Sequence, residues 1–307
     1  MTAPAAGSVA GQVALVTGAD QGFGRQVALE LGARGMAVAL AALSVEELDE
    51  VAAEVEASGG QALVVPGDVT DSASVQSFVA SAEGWLGPLD LLVNGIGGCD
   101  SPNEFLFTAP EDWWSTVEAR LRGTALCSYY VLQRMMPRRR GRIVNLVGDP
   151  ALGPSPLCSE VACSEAAVLR LTDSLALAAW PYAVSVFAIN PGREEAGSGM
   201  DPDGDDEAEA EVEDRYQVAG RLVAELASGR ADRLSGRLIN VHDDLQELVD
   251  RADEIQAADL LQLRLQPLQP VPAGQTPAEE AGVEEASAEE AAAGGAAAED
   301  AEARVQS

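Results

Sequence analysis

The feature that most constrains this chain is a strand, a glycine loop and a helix close to its start. Val13–Thr17 is a short apolar run rich in residues that favour strands, and Gly18, Gly22 and Gly24 follow it directly, before a helical pattern over 25–34. Glycines in such a loop allow a tight turn and let the backbone approach a pyrophosphate, whose charge is stabilised by free N–H groups at the start of the helix. The pattern therefore predicts the opening unit of a dinucleotide-type α/β fold.

The rest of the chain continues this alternation. Further strands are predicted at 36–42, 62–65, 89–93, 143–147, 183–189 and 237–241. Helices are predicted at 45–57, 72–85, 111–136, 157–179, 216–227 and 243–258. Strands that alternate with helices predict a doubly wound parallel sheet of about seven strands, with helices on both faces.

The domain organisation follows from changes in composition. Residues 11–266 are predicted to form one domain, with an acidic loop at 194–214 and a C-terminal helical extension at 243–266. A flexible N-terminus is expected at 1–10. Residues 267–307 are rich in Ala and Glu and contain no aromatic residue, which predicts a disordered acidic tail. A tail that binds a basic partner is the alternative.

The formal net charge is −31, and more than half of it lies in two segments. Residues 201–214 hold nine acidic residues, and 269–307 hold nine more with a single arginine. We expect no nucleic-acid partner, because an acidic surface repels phosphates. No run of about 18 apolar residues and no secretory pattern is visible, so we expect a cytoplasmic protein without a membrane partner.

Three residue types limit the chemistry. All 19 basic residues are arginine, and the absence of lysine excludes Schiff-base chemistry and a lysine acid. The single histidine, His242, is expected to be structural or on the surface. The four cysteines lack metal-ligand spacing, so no metal site is predicted and buried free thiols are expected; they are Cys99, Cys127, Cys158 and Cys163.

Four motifs in this order resemble the short-chain dehydrogenase/reductase family over about residues 11–249. The glycine loop Thr17-Gly18-Ala19-Asp20-Gln21-Gly22-Phe23-Gly24 is similar to the family's TGxxxGxG, and Asp68-Val69 to its adenine-contact pair. Asn94-Gly95-Ile96-Gly97 stands where the family has Asn-Asn-Ala-Gly, and Ile189-Asn190-Pro191-Gly192 matches its turn after strand six.

The resemblance implies a single Rossmann-type domain with strand order 3-2-1-4-5-6-7 and an NAD(P) site. It also implies a homo-oligomer, or a hetero-oligomer with an active relative, built on the helices after strands four and five. The residues that would contact NAD or NADP, if a cofactor binds, are Gly18, Gly22, Phe23, Gly24, Asp68, Val69, Asn94, Gly95, Pro191 and Gly192.

The family's catalytic residues are an Asn, a Ser, a Tyr and a Lys, and the resemblance places Arg120, Gly148, Val161 and Glu165 at their positions. Gly148 and Val161 have no side-chain donor or acceptor. The standard proton transfer of the family is therefore not possible. We expect Arg120 and Glu165 to form an ion pair that fills the vacated site, with the guanidinium within about 4 Å of the carboxylate.

The expected cofactor site also departs from the family pattern. Leu43 lies where dinucleotide binders often place a residue that reads the ribose, and the Asp20 charge would oppose a pyrophosphate. The threonine expected after Pro191-Gly192 is missing, and Glu194-Glu195 stand there. Binding of NAD or NADP is therefore expected to be weakened or lost.

Three functions remain open. The first is a non-catalytic homologue that acts as a partner subunit, a ligand-binding protein or a scaffold. The second is an NAD(P)-dependent oxidoreductase, or another enzyme, with a non-standard proton donor in the same pocket; Cys158, Ser159 and Cys163 are weaker nucleophile candidates there. The third is an interaction protein that acts through its acidic tail.

Two further segments have structural expectations. We expect Trp113-Trp114 to pack in the core or in an oligomer interface. We expect residues 201–214 to form a solvated mobile loop, and a hard-cation site there is the less favoured alternative.

Overall fold

Seven parallel strands form one sheet in the computed structural model, which describes residues 8–97, 103–192 and 206–264. The sheet order is β3-β2-β1-β4-β5-β6-β7, which confirms the expected topology. The strands are β1 (Val13–Thr17), β2 (Ala37–Ala41), β3 (Gln61–Val64), β4 (Leu91–Asn94), β5 (Gly141–Leu146), β6 (Val184–Asn190) and β7 (Leu238–Asn240). The central strands β1 and β6 are buried along their whole length and mostly apolar, because both faces of a parallel sheet are covered.

Nine helices in the described residues complete the fold. They are α1 (Gly22–Ala33), α2 (Val45–Ala57), α3 (Ser72–Leu86), α4 (Pro110–Val117), α5 (Gly123–Arg138), α6 (Ser159–Ala179), α7 (Asp206–Ala227), α8 (Leu245–Asp250) and α9 (Ala252–Ala257). One core lies between the sheet and α1, α2 and α7, and a second lies between the sheet and α3, α5 and α6. Successive strand residues alternate between the two cores: Ala14 belongs to the first and Leu15 to the second.

The helix expected at 111–136 is interrupted. A π-helical segment, Glu118–Arg122, separates α4 from α5 and contributes an additional residue to the turn. Pro137 was expected to close the helix, but α5 continues through it to Arg138 and ends at Arg139, whose φ is +53°. The carbonyl that loses its partner at Pro137 belongs to the exposed Gln133, so water can bind it.

Two expectations about flexible segments are corrected. Helix α7 begins at Asp206, so residues 206–214 of the expected acidic loop are helical, and 194–205 lie outside the described residues. The alternation of Glu with Ala in this stretch explains the helix, because both residues have high helix propensity. Val9 was assigned to a flexible N-terminus, yet it is buried in the first core.

The chain ends differ from expectation in one further respect. The C-terminal extension is not one helix: α8 and α9 are separate short helices that meet at Arg251. Residues 1–7 and the expected tail at 267–307 lie outside the described residues. None of the helices in the described ranges is long and apolar enough to cross a membrane.

Candidate functional site

The glycine loop lies at the carboxyl end of β1 and packs directly against the start of α1. Gly18 and Gly22 have φ values of +62° and +51°, which L side chains rarely adopt. A Cβ on Gly24 would lie 1.9 Å from the carbonyl oxygen of Gly18. The loop is therefore built for close backbone packing, and it points the N-terminus of α1 toward the carboxyl edge of the sheet. This backbone fits a pyrophosphate.

Phe23, in the first turn of α1, packs against α7. Its ring is buried and lies edge-on to the ring of Tyr216 in α7, with centroids 6.2 Å apart. Phe23 was a candidate cofactor contact, and its ring contributes to the packing between α1 and α7.

The motif after β4 joins three strands through backbone and amide contacts. Gly95 N–H donates to the carbonyl oxygen of Thr17 at 3.2 Å, and a Cβ on Gly95 would lie 2.7 Å from that oxygen. Asn94 Nδ2 donates to Asn145 Oδ1 at 2.8 Å, and Asn145 Nδ2 donates to Thr172 Oγ1 at 2.8 Å. This buried network ties β4 to β5 and α6, so Asn94 and Gly95 have a structural role in this chain.

Arg120 and Glu165 form the expected ion pair. Arg120 Nη1 lies 3.1 Å from Glu165 Oε1, and each side chain is 6% exposed. The second carboxylate oxygen, Oε2, accepts from Gly148 N–H at 3.0 Å. Arg120 Nη1 also lies 3.5 Å from the carbonyl oxygen of Ile96. The carboxylate is therefore bound on one side by a guanidinium and on the other by a backbone donor.

The π-helical segment explains how Arg120 reaches this position. Arg120 is buried inside that segment, whereas its neighbour Arg122 is exposed and pairs with Glu118 on the surface at 3.6 Å. An additional residue in one helical turn rotates the side chains that follow it relative to a regular helix. The turn therefore separates an inward arginine from an outward one.

Gly148 and Val161 complete the set of mapped positions. A Cβ on Gly148 would lie 3.2 Å from Glu165 Oε2, so a side chain there would be in tight contact with this carboxylate. Val161 is buried one helical turn before Glu165. The cluster therefore contains an arginine, a carboxylate with both oxygens bound, a glycine and a valine. It offers no side chain that could protonate a carbonyl substrate by the family's route.

The remaining candidate cofactor contacts are placed around the same edge of the sheet. Asp68 is exposed, and its Oδ1 accepts from the backbone N–H and the hydroxyl of Thr70, both at 2.7 Å. Val69 is buried, and its Cγ2 lies 2.7 Å from the position of a Cβ on Gly123. Gly192, which follows Pro191, has a φ of +94° and donates its N–H to Asn190 Oδ1 at 3.0 Å. These contacts leave the adenine pair and the turn after β6 well formed.

Leu43, at the position where dinucleotide binders often read the ribose, offers no polar group, and Asp20 adds a carboxyl to the glycine loop. Leu43 is 75% exposed and apolar, and the next residue, Ser44, caps α2 by accepting from Glu47 N–H. Asp20 is half-buried in the glycine loop. Burial raises the pKa of Asp20, and the negative charge of Glu47 raises it further, while backbone N–H groups oppose the change. The backbone of the glycine loop thus suits a dinucleotide, and weakened binding through Leu43 and Asp20 stays a prediction.

Replacing Asp20 by asparagine is expected to raise the melting temperature at pH 7 and to have little effect near pH 3. A carboxyl whose folded pKa is raised is destabilising only where it is ionised, that is, above its ordinary value of 3.8. Asparagine retains an oxygen that can accept the same backbone N–H groups. Melting curves of both proteins between pH 3 and pH 8 would measure this. A constant difference at all pH values would contradict it.

A polar contact that the sequence did not indicate connects α4 to α6. Trp113 Nε1 donates to Ser159 Oγ at 3.0 Å, and Ser159 Oγ donates to Glu160 Oε2 at 3.4 Å. Glu160 is 5% exposed. Because Trp113 and Ser159 are 46 residues apart, no local pattern could have paired them. Trp114 is 61% exposed, so core packing is wrong for that residue.

The cysteines are only partly as expected. Cys127 is a buried free thiol, and burial raises its pKa to about 12, which makes it unreactive at neutral pH. Cys163 is free but exposed, and Cys158 is disulfide-bonded. Free thiols were therefore the wrong expectation for Cys158, and its sulfur cannot be the nucleophile. His242 is exposed, as expected, beside Gly192.

A parallel sheet in this order, with a glycine loop at the end of β1, defines the Rossmann class of nucleotide-binding folds. Residues 12–202 match the short chain dehydrogenase family. The chain is 30% identical over 266 residues to a short chain dehydrogenase of Pseudocercospora fijiensis, covering 81% of this chain and 85% of the relative. It is also 33% identical over 187 residues to the 2,3-dihydro-2,3-dihydroxybenzoate dehydrogenase of Bacillus subtilis, covering 61% and 71% of the two chains.

A solved structure supports the same assignment. The NAD⁺-bound xylitol dehydrogenase superposes with a TM-score of 0.67 at 25% identity, over 75% of this chain and 97% of the other. The protein belongs to the short-chain dehydrogenase/reductase family.

Proposed function

We propose that this chain is a non-catalytic member of its family, with binding of NAD or NADP weakened or lost. The observation that carries the proposal is the buried cluster of Arg120, Glu165 and the backbone N–H of Gly148. In the family mapping, these residues and Val161 stand at the family's four catalytic positions. The guanidinium and the carboxylate are bound to each other, so neither charge is free to contact a substrate.

The altered cofactor side chains support the same proposal. Asp20 adds a carboxylate to the loop that would hold a pyrophosphate, and Leu43 supplies no ribose contact. The glycines remain, but Gly24 and Gly95 have packing contacts that require glycine in any case. A retained glycine loop is therefore compatible with the loss of cofactor affinity.

We also propose that the chain acts as a subunit, either with itself or with an active relative, through α5 and α6, the long helices after β4 and β5. Large apolar side chains are exposed on or next to these helices, including Tyr129 on α5 and Leu177 on α6. Trp180 lies at the end of α6 and is 54% exposed. Apolar groups in such positions favour burial against another subunit.

A fluorescence titration with NADH and NADPH would test the proposal. We expect no saturable binding below about 1 mM of either cofactor, which corresponds to a binding free energy weaker than about −4 kcal/mol. We also expect no cofactor-dependent turnover of a panel of small alcohols, ketones and dihydrodiols. The B. subtilis relative, assayed in parallel, controls for the quality of the cofactors. Saturable binding together with turnover would contradict the proposal.

An enzyme with a different proton donor is the second candidate, and Glu160 is the observation that favours it. This buried carboxylate adjoins Val161 and accepts from Ser159, whose hydroxyl is in turn bound by Trp113. If turnover is found, Glu160→Gln should abolish it under this alternative.

The cytoplasmic location stays a prediction. The disulfide at Cys158 argues against it, because disulfides are uncommon in reducing compartments.

A further inference from the structure

The segment between β4 and α5 exposes more apolar surface than a helix and its lead-in normally do. Four large apolar side chains in it are exposed: Phe105 (62%), Leu106 (85%), Phe107 (77%) and Trp114 (61%). A short 3₁₀ turn, Phe105–Phe107, carries three of them, and α4 carries the fourth. Single exposed apolar residues are ordinary, but a contiguous group of this size is typical of a binding surface.

Aromatic contacts hold this surface together. Phe105 lies edge-on to Trp113 with ring centroids 6.4 Å apart, and Trp113 lies edge-on to Trp114 at 5.0 Å. Trp113 is anchored below by its hydrogen bond to Ser159 on α6. The rings of Phe105 and Trp114 are therefore positioned against a tryptophan that is fixed to the domain, so these two side chains would lose little entropy when they bind a partner.

This segment carries an excess of negative charge. Residues 103–119 contain four acidic residues and no basic one. The acids are Glu104, Glu111, Asp112 and Glu118, and all are exposed. Arg120 is buried against Glu165, and the exposed Arg122 offsets Glu118 only. Among the described residues, no ion pair offsets Glu104, Glu111 or Asp112. We call residues 104–118 the acidic aromatic surface.

We propose that the acidic aromatic surface binds a basic amphipathic segment of another protein, one that places apolar side chains on Phe105, Leu106, Phe107 and Trp114 and arginines or lysines beside the acids. Charge complementarity selects this partner. Anionic lipid and nucleic acid would be repelled by the carboxylates of Glu104, Glu111 and Asp112 and by the net charge of the chain. A second copy paired through the same surface would bring two acidic rims together. The inference does not depend on whether the site at Glu165 is catalytic.

A labelled peptide provides the probe. It is an amphipathic helix of about two heptads of leucine and lysine, and a leucine and glutamate version serves as its counterpart. Fluorescence anisotropy with the full chain should show saturable binding of the basic peptide and none of the acidic one. The affinity should fall as NaCl is raised from about 0.05 to 0.3 M, because salt screens the carboxylates.

Substitutions separate this surface from general attraction to an acidic chain. Two variants keep every charge: the double variant Leu106→Ser/Phe107→Ser and the single variant Trp114→Ser. If the apolar surface is the binding site, each variant should bind the basic peptide at least about tenfold more weakly. Attraction to the charge alone would leave the affinity unchanged. Trp85→Ser is the matched control, because Trp85 is a 78% exposed tryptophan on α3 and should leave affinity unchanged. All these residues are exposed, so melting curves should confirm intact folding.

Four results would overturn the proposal. These are equal binding by Leu106→Ser/Phe107→Ser and the unsubstituted chain, an equal loss in Trp85→Ser, equal binding of the acidic peptide, and no binding of the basic one. Sedimentation provides a further check. If the chain self-associates and Leu106→Ser/Phe107→Ser abolishes that association, the surface is an interface between copies of this chain and the proposed partner is wrong.

Discussion

Glu165→Ala is expected to lower the free energy of unfolding by about 3–5 kcal/mol, because it leaves a buried guanidinium without its carboxylate. Arg120 and Glu165 are each only 6% exposed, so water cannot readily replace the lost partner. The backbone N–H of Gly148 would lose its acceptor in the same variant. Urea unfolding, followed by circular dichroism, would measure the change from the shift in midpoint.

The surface pair between Arg34 and Glu30 provides a control, since both partners are partly exposed on α1. Glu30→Ala should cost no more than about 1 kcal/mol. The double variant Arg120→Met/Glu165→Leu should recover most of the stability lost in Glu165→Ala, because two apolar side chains remove the buried charge altogether. If Glu165→Ala costs no more than Glu30→Ala, then water reaches Arg120 and the cluster is open. That outcome would also weaken the proposal of a non-catalytic site.

The strand order could be predicted because its signals are local. Each strand appears as an apolar run bounded by turn residues, and alternation with helices restricts the possible connections. The glycine loop is similarly local, since Gly18 and Gly22 are needed for positive φ and Gly24 for a close contact within a few residues. The ion pair could be predicted for another reason. Opposite charges had replaced two residues, at Arg120 and Glu165, that the family resemblance places together.

Other features depend on contacts that no sequence window contains. The apolar spacing through 111–136 suits a regular helix, and the π-helical segment Glu118–Arg122 forms where Arg120 turns inward to reach Glu165. The hydrogen bond from Trp113 to Ser159 joins residues on different helices. The early start of α7 was missed because a run of acids predicts a solvated loop, whereas the alanines between the glutamates favour a helix.

Gly24→Ala is expected to lower the free energy of unfolding by about 3 kcal/mol in the absence of any nucleotide. The new Cβ would lie 1.9 Å from the carbonyl oxygen of Gly18 and 2.6 Å from its carbonyl carbon. Both atoms are backbone, so relief requires α1 to move away from the loop. That movement would disturb the packing of Phe23 against Tyr216.

Gly84→Ala is the matched control, because Gly84 lies inside α3 and a Cβ there would meet nothing within 4 Å. It should raise stability by about 0.5–1 kcal/mol, since alanine favours a helix and restricts the unfolded chain. Urea unfolding without nucleotide shows whether packing within the fold alone requires the glycine at position 24. If Gly24→Ala is as stable as the unsubstituted chain, the loop tolerates a side chain, and its glycine is better explained by a bound pyrophosphate. A large loss shows that packing alone requires the glycine, which removes the loop as an argument for a working cofactor site.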